Sequence, residues 1–587
     1  MNIAASLADQ IIKTDKRRRL VSLAQSHTWQ MPRRELWWWL GLVLSLAVLV
    51  SRQAYLQIVQ GKFYQQLAEE QRIRLLALPA ARGIVYDRDE QPLVRNLPLN
   101  YQVRFDPKLG QVWQPVSEQE AIKLRVAGGN QVVISAASRE YLYPEALAHV
   151  LGYVGQVSAQ ELKQDHSQDA CPERFTAGNL IGRAGVERSY DCRLRGINGK
   201  YLVEVDSRGQ LVREIGSQAP ISGESLQLNL DLGLQQEAWA ALQDKTGAVV
   251  ALDPRNGAVL ALVSSPGFNS NWFSPHFRFA YPKLSQQQIS QVLQSPDTPL
   301  LNRTLAATYP PGSVFKLVTT VAGIDSQTIT RQYTYVDKGY IERAGFTYRN
   351  WLYIARGGTE GRINIVRALA RSTDTFYYQL GEMLGPDTLA EYARQLGLGN
   401  KTGIDLPGEV SGLVPDPAWK ERVKGERWYL GNTYHLAIGQ GDVLVTPVQA
   451  SRLTATVMTG KRCQPQVVQQ SVDCQTVDLS PEALQTVWDG MVAACSPGGT
   501  AALLFDFQPQ LACKTGTAEF GPRDEFGKRK THSWLTAAGP MIKTSEGWQL
   551  DLSNNPIVVT AVVEAGGEGS GPAAQVVKQV LERWQEE

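Results

Sequence analysis

Residues 310–316 read Pro-Pro-Gly-Ser-Val-Phe-Lys, and this short stretch decides how the chain around it is expected to fold. Proline stops an upstream helix, and the run 314–324 predicts a new helix that Ser313 opens. Lys316 then lies about one helical turn from Ser313, on the same face. The free N–H groups at a helix N-terminus favour a developing negative charge. The stretch therefore predicts a serine nucleophile, Ser313, whose general base is Lys316.

Two further motifs follow at wide spacing, Ser-Thr-Asp at 372–374 and Lys-Thr-Gly-Thr at 514–517. Each motif is weak alone. Ser-x-x-Lys recurs by chance, 372–374 fits an N-cap turn between two helices, and 514–517 fits an exposed strand. Because all three occur in this order, and the first has a proline-glycine lead-in, together they predict one catalytic site.

The predicted site gives each remaining polar residue a role. Ser372 is a candidate proton relay to a leaving amine, and Asp374 pairs with a lysine or accepts a substrate amide hydrogen. Lys514 supplies charge for a terminal carboxylate, and its charge lowers the pKa of a buried Lys316, which can then act as a base near neutral pH. Hydroxyl groups and a close backbone approach on the same strand predict three substrate-binding residues, namely Thr515, Gly516 and Thr517.

Composition narrows the class of protein. The chain has 587 residues, which predicts two or three domains. With 59 Lys and Arg against 57 Asp and Glu, the formal charge of +2 gives no strong field for nucleic acid. None of the six histidines accompanies a Gly-x-Ser-x-Gly turn, and no P-loop or dinucleotide fingerprint occurs. No cysteine and histidine cluster has the spacing of a zinc site, so no metal or cofactor is expected.

An uncharged apolar run begins at residue 36, after a basic segment, and carries three tryptophans at its start. Residues 36–51 would form about 24 Å of helix at ~1.5 Å per residue, and the helix can continue toward Val59. A signal peptide and a buried core helix are the alternatives. The preceding basic residues and the tryptophans favour a membrane anchor over 36–56, with a cytoplasmic tail at 1–35 and all later residues outside.

The rest of the chain predicts an α+β fold in two parts. Residues 57–225 mix short strands and helices without chemical motifs and are expected to form a pedestal. Residues 226–587 open with a strand, a helix and a hairpin over 248–264, and close with a strand at 556–563 and a helix from Pro572. Strands at both ends predict one antiparallel sheet, with the last helix behind it and a helical subdomain in front.

Cysteine spacing leaves the disulfide pattern open. Two pairs bracket loops and could form bridges, namely Cys171 with Cys192 and Cys463 with Cys474. Isolated thiols are the alternative for both. Cys513 lies directly before Lys514 in an apparent strand, so it is expected to be a small packed side chain.

With these motifs in place, the chain resembles the class B penicillin-binding proteins, and among them the elongation type, penicillin-binding protein 2. Asp374 at the third position of the middle motif is similar to the elongation type, whereas the division type usually has Asn. The likeness runs from the anchor to the C-terminus. The other matching stretches are 81–83, 86–88, 302–303, 309–313, 438–441, 446–447 and 566–567.

The resemblance implies a D,D-transpeptidase with an antiparallel five-stranded sheet in its penicillin-binding domain. Ser313 would attack D-Ala-D-Ala of a peptidoglycan stem peptide, and an amine on a neighbouring peptide would resolve the acyl-enzyme during cell-wall elongation. The backbone N–H groups of Ser313 and Thr517 would form the oxyanion hole. β-Lactams would acylate the same serine. The implied partners are a SEDS-type membrane glycosyltransferase and the cell-wall elongation scaffold, at the bacterial inner membrane.

Other readings of the same site are a D,D-carboxypeptidase, a β-lactamase, a division-type transpeptidase, and a non-enzymatic β-lactam sensor or scaffold subunit. The pedestal favours transpeptidation over β-lactamase activity, and the intact motifs argue against an inactive scaffold. Two features depart from the family pattern. The stretch 101–149 is shorter than the usual pedestal lobe, and Asn432 stands where relatives often have Asp.

Overall fold

The computed structural model describes residues 33–106, 110–127, 132–158, 160–161, 171, 175, 179–206, 211–343, 345–471, 473–525 and 527–586. The chain divides into two compact units, Met1–Ile73 and Arg74–Glu587. The predicted cytoplasmic tail lies almost wholly outside the described residues. The predicted domain limits at 56 and 225 remain predictions.

The first unit contains one long apolar helix. Helix α1 (Arg33–Ala54) continues through a π-helical turn at Tyr55–Val59, and α2 (Gly61–Arg72) follows. The apolar stretch Leu36–Val59 has 24 residues, none of them buried within the structure. At ~1.5 Å per residue it reaches about 36 Å, more than a ~30 Å hydrocarbon core. This helix is therefore long and apolar enough to cross a membrane.

The pedestal region is built from short elements around two three-stranded sheets, ordered β4-β3-β5 and β1-β8-β9. Its elements are β1 (Ile73–Leu78), β2 (Val85–Tyr86), β3 (Val94–Asp106), β4 (Gly110–Val116), α3 (Glu118–Val126), β5 (Val132–Tyr141), α4 (Ala148–Leu151), β6 (Val154–Gln156), β7 (Leu180–Gly182), α5 (Gly185–Ser189), α6 (Asp191–Arg195), β8 (Gly199–Val205) and β9 (Leu211–Gln218).

Within the stretch 81–88, which includes two of the stretches that carry the resemblance, only Val85–Tyr86 is a strand. Buried Arg82 pairs instead with Glu187 and Asp191, each at 2.8 Å. A Cβ at Gly83 would lie 1.8 Å from the Glu224 oxygen, so only glycine fits there. Arg82 and Gly83 therefore hold the start of this stretch against residues 187–191 and 224.

The remaining elements follow the pedestal region within the second unit, Arg74–Glu587. They are β10 (Leu226–Gln227), α7 (Leu232–Ala241), β11 (Gly247–Leu252), β12 (Val259–Ser265), α8 (Pro275–Ala280), α9 (Pro282–Gln294), α10 (Lys316–Asp325), β13 (Thr334–Asp337), β14 (Tyr340–Arg343), β15 (Phe346–Arg349), α11 (Trp351–Arg356), β16 (Gly361–Asn364), α12 (Ile365–Arg371), α13 (Asp374–Gln395), α14 (Pro417–Lys424), α15 (Leu430–Ala437), α16 (Pro447–Thr459), β17 (Lys461–Cys463), β18 (Cys474–Thr476), α17 (Pro481–Ala494), β19 (Ala512–Phe520), β20 (Lys530–Gly539), β21 (Met541–Thr544), β22 (Gly547–Leu550), β23 (Ile557–Val563) and α18 (Pro572–Gln585).

One antiparallel sheet organises these elements, in the order β12-β11-β23-β20-β19. Every residue of β11, β12 and β23 is buried, because both faces of the sheet are covered. Helices α7 and α18 pack on one face, and α10, α13, α16 and α17 contribute to the core on the other. The predicted sheet, its rear helix and its helical subdomain are confirmed.

Disulfides join all three cysteine pairs. Cys171 bonds Cys192 and Cys463 bonds Cys474, as their spacing allowed. The expectation for Cys513 was wrong, since it bonds Cys495 at the end of α17 with a Cα–Cα separation of 5.4 Å. This bridge joins a helix to a strand that packs on it, and no local spacing signals such a contact.

Candidate active site

Ser313 lies in a 3₁₀ turn, Gly312–Phe315, and α10 begins only at Lys316. The helix predicted over 314–324 therefore begins two residues before α10 does. Gly312 has φ 52° and donates its N–H to the Gly439 oxygen at 2.9 Å. A Cβ at Gly312 would lie 2.7 Å from the Thr517 oxygen. The serine turn is therefore pressed against the strand that carries the third motif.

Lys316 is fully buried, and its amine lies in a cluster of polar groups. Its Nζ donates to the Ser372 carbonyl oxygen at 2.8 Å, to Ser372 Oγ at 3.1 Å and to Asp374 Oδ1 at 2.6 Å. Burial lowers the pKa of Lys316 below its ordinary value, and the Asp374 carboxylate opposes that shift. The first and second motifs are thus joined by hydrogen bonds through this amine.

Lys514 reaches the same cluster from β19. Its Nζ donates to Ser372 Oγ at 3.0 Å and to the Thr515 oxygen at 2.9 Å. Burial and then the charge of Lys316 hold the pKa of Lys514 well below its ordinary value. The pKa of Lys316 is lowered as the sequence predicted, but burial is the cause, and the charge of one lysine acts instead on the pKa of Lys514.

Ser372 connects the two lysines and adopts a strained conformation to do so. Its φ of 55° and ψ of 39° are left-handed, and it caps the end of α12 just before α13 begins. A non-glycine residue there costs of order 1–3 kcal/mol. A hydroxyl has two acceptor lone pairs and one proton. When both ammonium groups donate to Ser372 Oγ, its own proton is free for another acceptor.

Asp374 is held in place by residues that the sequence reasoning missed. Its Oδ2 accepts the Trp351 N–H at 3.1 Å, and its own N–H donates to Asn350 Oδ1 at 3.1 Å. Asn350 is fully buried and donates Nδ2 to Asp337 Oδ2 at 3.3 Å. Asp337 also accepts from the Thr375 hydroxyl at 2.7 Å. No spacing rule links 337 or 350 to the middle motif, so only the fold reveals this support.

Strand β19, which carries residues 514–517, is an edge strand of the sheet. The Thr515 hydroxyl donates to Thr500 Oγ1 at 2.9 Å, and Thr517 Oγ1 accepts the Gly569 N–H at 3.1 Å. Gln440 Nε2 donates to the Thr517 oxygen at 3.0 Å. Thr500 and Gly569 are additional residues that the sequence did not identify, whereas Gln440 lies in a stretch that carried the resemblance.

Gly516 has a structural reason to lack a side chain. A Cβ there would lie 2.9 Å from Trp534 Cβ and 3.0 Å from the Pro311 oxygen. The close approach is made by the chain's own serine turn.

The eight predicted residues are therefore brought to one place, on the serine turn, the α12–α13 junction and the edge strand. Ser313 is half-buried, and in the part of the chain that the structure describes its hydroxyl has no hydrogen-bond partner. Among the described residues no His, Cys, Asp and Glu group could hold a metal ion. Such a site offers a partly exposed serine hydroxyl on the turn that leads into Lys316, whose buried amine shares Ser372 Oγ with Lys514, and this arrangement suits acyl transfer to serine.

Comparison with known proteins agrees with this geometry. The model of the penicillin-binding protein transpeptidase domain matches residues 247–582, and that of the penicillin-binding protein dimerisation domain matches 131–228. The peptidoglycan D,D-transpeptidase MrdA of Acinetobacter baumannii is 32% identical, over 92% of this chain and 86% of that one.

Solved structures show the same likeness. Penicillin-binding protein PBP2 in its complex with MreC, from Helicobacter pylori, has a TM-score of 0.74 at 27% identity and covers 88% of this chain and 99% of that one. A chain of a peptidoglycan synthase complex that coordinates polymerization and crosslinking has a TM-score of 0.71 at 30% identity, over 94% of this chain and 98% of that one. The chain belongs to the penicillin-binding protein transpeptidase family, in the group of the MrdA or PBP2 proteins.

Proposed function

We propose that this protein is a peptidoglycan D,D-transpeptidase that cross-links stem peptides through an acyl-enzyme on Ser313 during cell-wall elongation. The observation that carries the proposal is the Ser372 hydroxyl, which accepts from Lys316 at 3.1 Å and from Lys514 at 3.0 Å. Three motifs spread over two hundred residues of sequence thereby form one hydrogen-bonded cluster beside an accessible serine.

The acylation step follows from the roles of these groups. Ser313 Oγ attacks the carbonyl carbon of the penultimate D-Ala, and its proton passes to a neutral Lys316. Burial supports this role because it disfavours the charged form of the amine. The backbone N–H groups of Ser313 and Thr517 stabilise the oxyanion, where loss of one donor typically costs about 10²–10³ in rate.

Collapse of the tetrahedral intermediate breaks the peptide bond and releases D-Ala, whose amine takes a proton through Ser372. Lys514, Thr515 and Thr517 bind the terminal carboxylate. The amine of a neighbouring stem peptide then attacks the acyl-enzyme and re-forms free Ser313. A β-lactam enters as a mimic of the donor peptide, so it acylates the same oxygen.

The apolar helix α1 and the basic residues before it support an inner-membrane anchor with a cytoplasmic N-terminus and an extracytoplasmic catalytic site. The H. pylori relative was solved with MreC, and another relative within a peptidoglycan synthase complex. These likenesses support elongation scaffold proteins and a SEDS-type glycosyltransferase as partners of this chain.

The decisive experiment is penicillin labelling of the full-length protein followed by peptide mass spectrometry. We expect one penicillin adduct on the peptide that contains Ser313, and none in Ser313→Ala. Ser326→Ala is the matched control, because Ser326 directly follows α10 and its hydroxyl, within the described part of the chain, bonds the Ala322 oxygen and Thr328 Oγ1. Labelling that persists in Ser313→Ala would remove the proposed nucleophile.

Products from a donor peptide plus an amine acceptor then separate the enzyme classes. We expect cross-linked dimer to exceed hydrolysed tetrapeptide. Hydrolysis alone would instead identify a carboxypeptidase.

A further inference from the structure

A basic pocket lies outside the catalytic site, at the opposite end of α13. It has a volume of about 250 Å³. Asp374 begins α13, whereas Arg394 lies in its last turn. We define the basic pocket by six of its lining residues, namely Arg394, Lys401, Arg452, Arg462, Gln464 and Gln475.

Arg452 is the buried base of the pocket. Only 7% of it is exposed, and its Nη1 and Nη2 donate to the Thr402 and Gly397 oxygens at 3.1 and 2.6 Å. Its Nε is buried and has no hydrogen-bond partner in the structure. In the described part of the chain, no carboxylate lies within ion-pair distance of this guanidinium. A buried charge ordinarily forms a direct ion pair, and this guanidinium has none.

The groups around Arg452 increase the positive charge. Burial and the neighbouring Arg462 lower the pKa of Arg452 to about 10. Arg462 donates to the Gln395 oxygen at 2.8 Å and to Gln475 Oε1 at 2.7 Å, both neutral acceptors. Lys401 is exposed at the rim. Two like-charged guanidinium groups thus sit side by side in a concave wall.

The nearby carboxylates offset only part of this charge. Glu409 accepts from the backbone N–H groups of Thr402 and Gly403, and its charge opposes the lowering of the Arg452 pKa without forming a direct ion pair. Asp416 pairs with Arg394, so that pair is neutral. Asp473 is the one acidic residue among those that line the pocket, and it is exposed at the rim. The described walls therefore carry more positive than negative charge.

The walls of the pocket are rigid by construction. Arg462 and Gln475 face each other across β17 and β18, one pair away from the Cys463–Cys474 disulfide. Gly397 has φ 94°, and a Cβ there would lie 2.7 Å from Arg452 Nη2. The glycine lets the loop carbonyl meet the guanidinium, and the disulfide fixes the hairpin that carries Arg462. Arginine positioned in this way binds oxyanions through paired N–H donors.

We propose that the basic pocket is an oxyanion-binding site that takes a small molecule carrying a phosphate or carboxylate group. The guanidinium at its base, whose buried Nε has no hydrogen-bond partner, the second guanidinium beside it and the lysine at its rim select a compact anion. The site is separate from the serine site and does not depend on the transpeptidase reaction.

The test is isothermal titration of the full-length protein in detergent with inorganic phosphate, pyrophosphate and malonate, with sodium chloride as the ionic-strength control. We expect saturable binding with one site, weakened by added salt. Arg462→Gln should weaken it about tenfold, because hydrogen bonds to charged groups are the strong ones. Lys401→Gln should weaken it about two- to fivefold, since the lysine is exposed.

Lys283→Gln is the matched control, since it removes an exposed charge from α9 and should bind like the unaltered protein. Penicillin labelling should be unchanged in all three variants, which shows that they fold. Phosphate binding without malonate binding identifies a phosphate ligand, and the reverse identifies a carboxylate ligand. Binding of none of the three anions, or affinity in Arg462→Gln equal to that of the unaltered protein, overturns the proposal.

Discussion

At the scale of single residues, the site depends on how the Asp374 carboxylate and burial oppose each other at Lys316. Burial disfavours the ammonium form, whereas Asp374 at 2.6 Å favours it. The amine must be neutral when it accepts the Ser313 proton. The acylation rate should therefore rise with pH through the pKa of the lysine cluster and level off above it.

Asp374→Asn tests this balance. Removal of the carboxylate removes the charge that raises the pKa of Lys316, so the rising limb of the acylation profile should move to lower pH. The measurement is the second-order rate of penicillin acylation across pH. Lys316→Met should slow acylation by several orders of magnitude at every pH. A profile that stays in place in Asp374→Asn would show that the titrating group is elsewhere.

Ser372 allows its hydroxyl to be separated from its backbone strain. Ser372→Ala and Ser372→Gly both remove the oxygen between the lysines, so both should slow acyl transfer by about 10²–10⁴. Only glycine relaxes a residue at φ 55°. The unfolding free energy of Ser372→Gly should therefore exceed that of Ser372→Ala by about 1 kcal/mol, and Ser372→Gly should unfold at the higher temperature. The two measurements are penicillin acylation kinetics and thermal unfolding.

If Ser372→Gly recovered activity relative to Ser372→Ala in proportion to its stability, strain and not the hydroxyl would explain the loss. Equal rate losses at unequal stability are the expected pattern.

At the scale of elements, the serine turn and β19 form one unit, because their backbones touch. Gly516→Ala would place a Cβ 2.9 Å from Trp534 Cβ and 3.0 Å from the Pro311 oxygen. The turn must then move away from the strand, which displaces Ser313 from the Thr517 N–H. We expect acylation to fall at least about 10²-fold and unfolding free energy to fall by about 1–3 kcal/mol.

Gly216→Ala on β9 is the matched control, since a Cβ there meets nothing within 4 Å. It should leave both the acylation rate and the melting temperature unchanged. A fully active Gly516→Ala would mean that the turn and the strand are not coupled in the way their contact indicates.

Elements also show what the sequence could predict. The stripe of Val576, Val577, Val580, Leu581 and Trp584 predicted a helix packed on a sheet, and all five are buried in α18. Periodicity identifies such elements because their neighbours repeat along the chain. The 3₁₀ turn before α10 was harder to predict, since Gly312 is held by Gly439, more than a hundred residues away.

The candidate site could likewise be predicted only in part from the sequence. The three motifs could be found because each is continuous in sequence. Asn350 and Asp337 support Asp374 across β13 and the start of α11, and Cys495 reaches Cys513 from the end of α17. These contacts arise only when separate elements pack, so no spacing within one element predicts them.

At the scale of the whole molecule, the helix that could cross a membrane and the candidate site belong to different units. The apolar helix lies in Met1–Ile73, whereas every residue of the candidate site lies in Arg74–Glu587. The larger unit contains the five-stranded sheet, the helices that cover both faces of that sheet, and the hydrogen bonds that hold the two lysines. We therefore expect acylation to need no part of the membrane segment.

A chain that begins at residue 58 tests this separation. Because α1 exposes its apolar side chains along Leu36–Val50, its removal should release the protein from membranes into solution. The penicillin acylation rate should stay within about twofold of the full chain, since the oxyanion hole and the lysine cluster remain intact. Fractionation followed by fluorescent penicillin labelling measures both properties, with Ser313→Ala in the shortened chain as the blank. A soluble product that folds but resists acylation would show that the anchor unit helps to assemble the serine site.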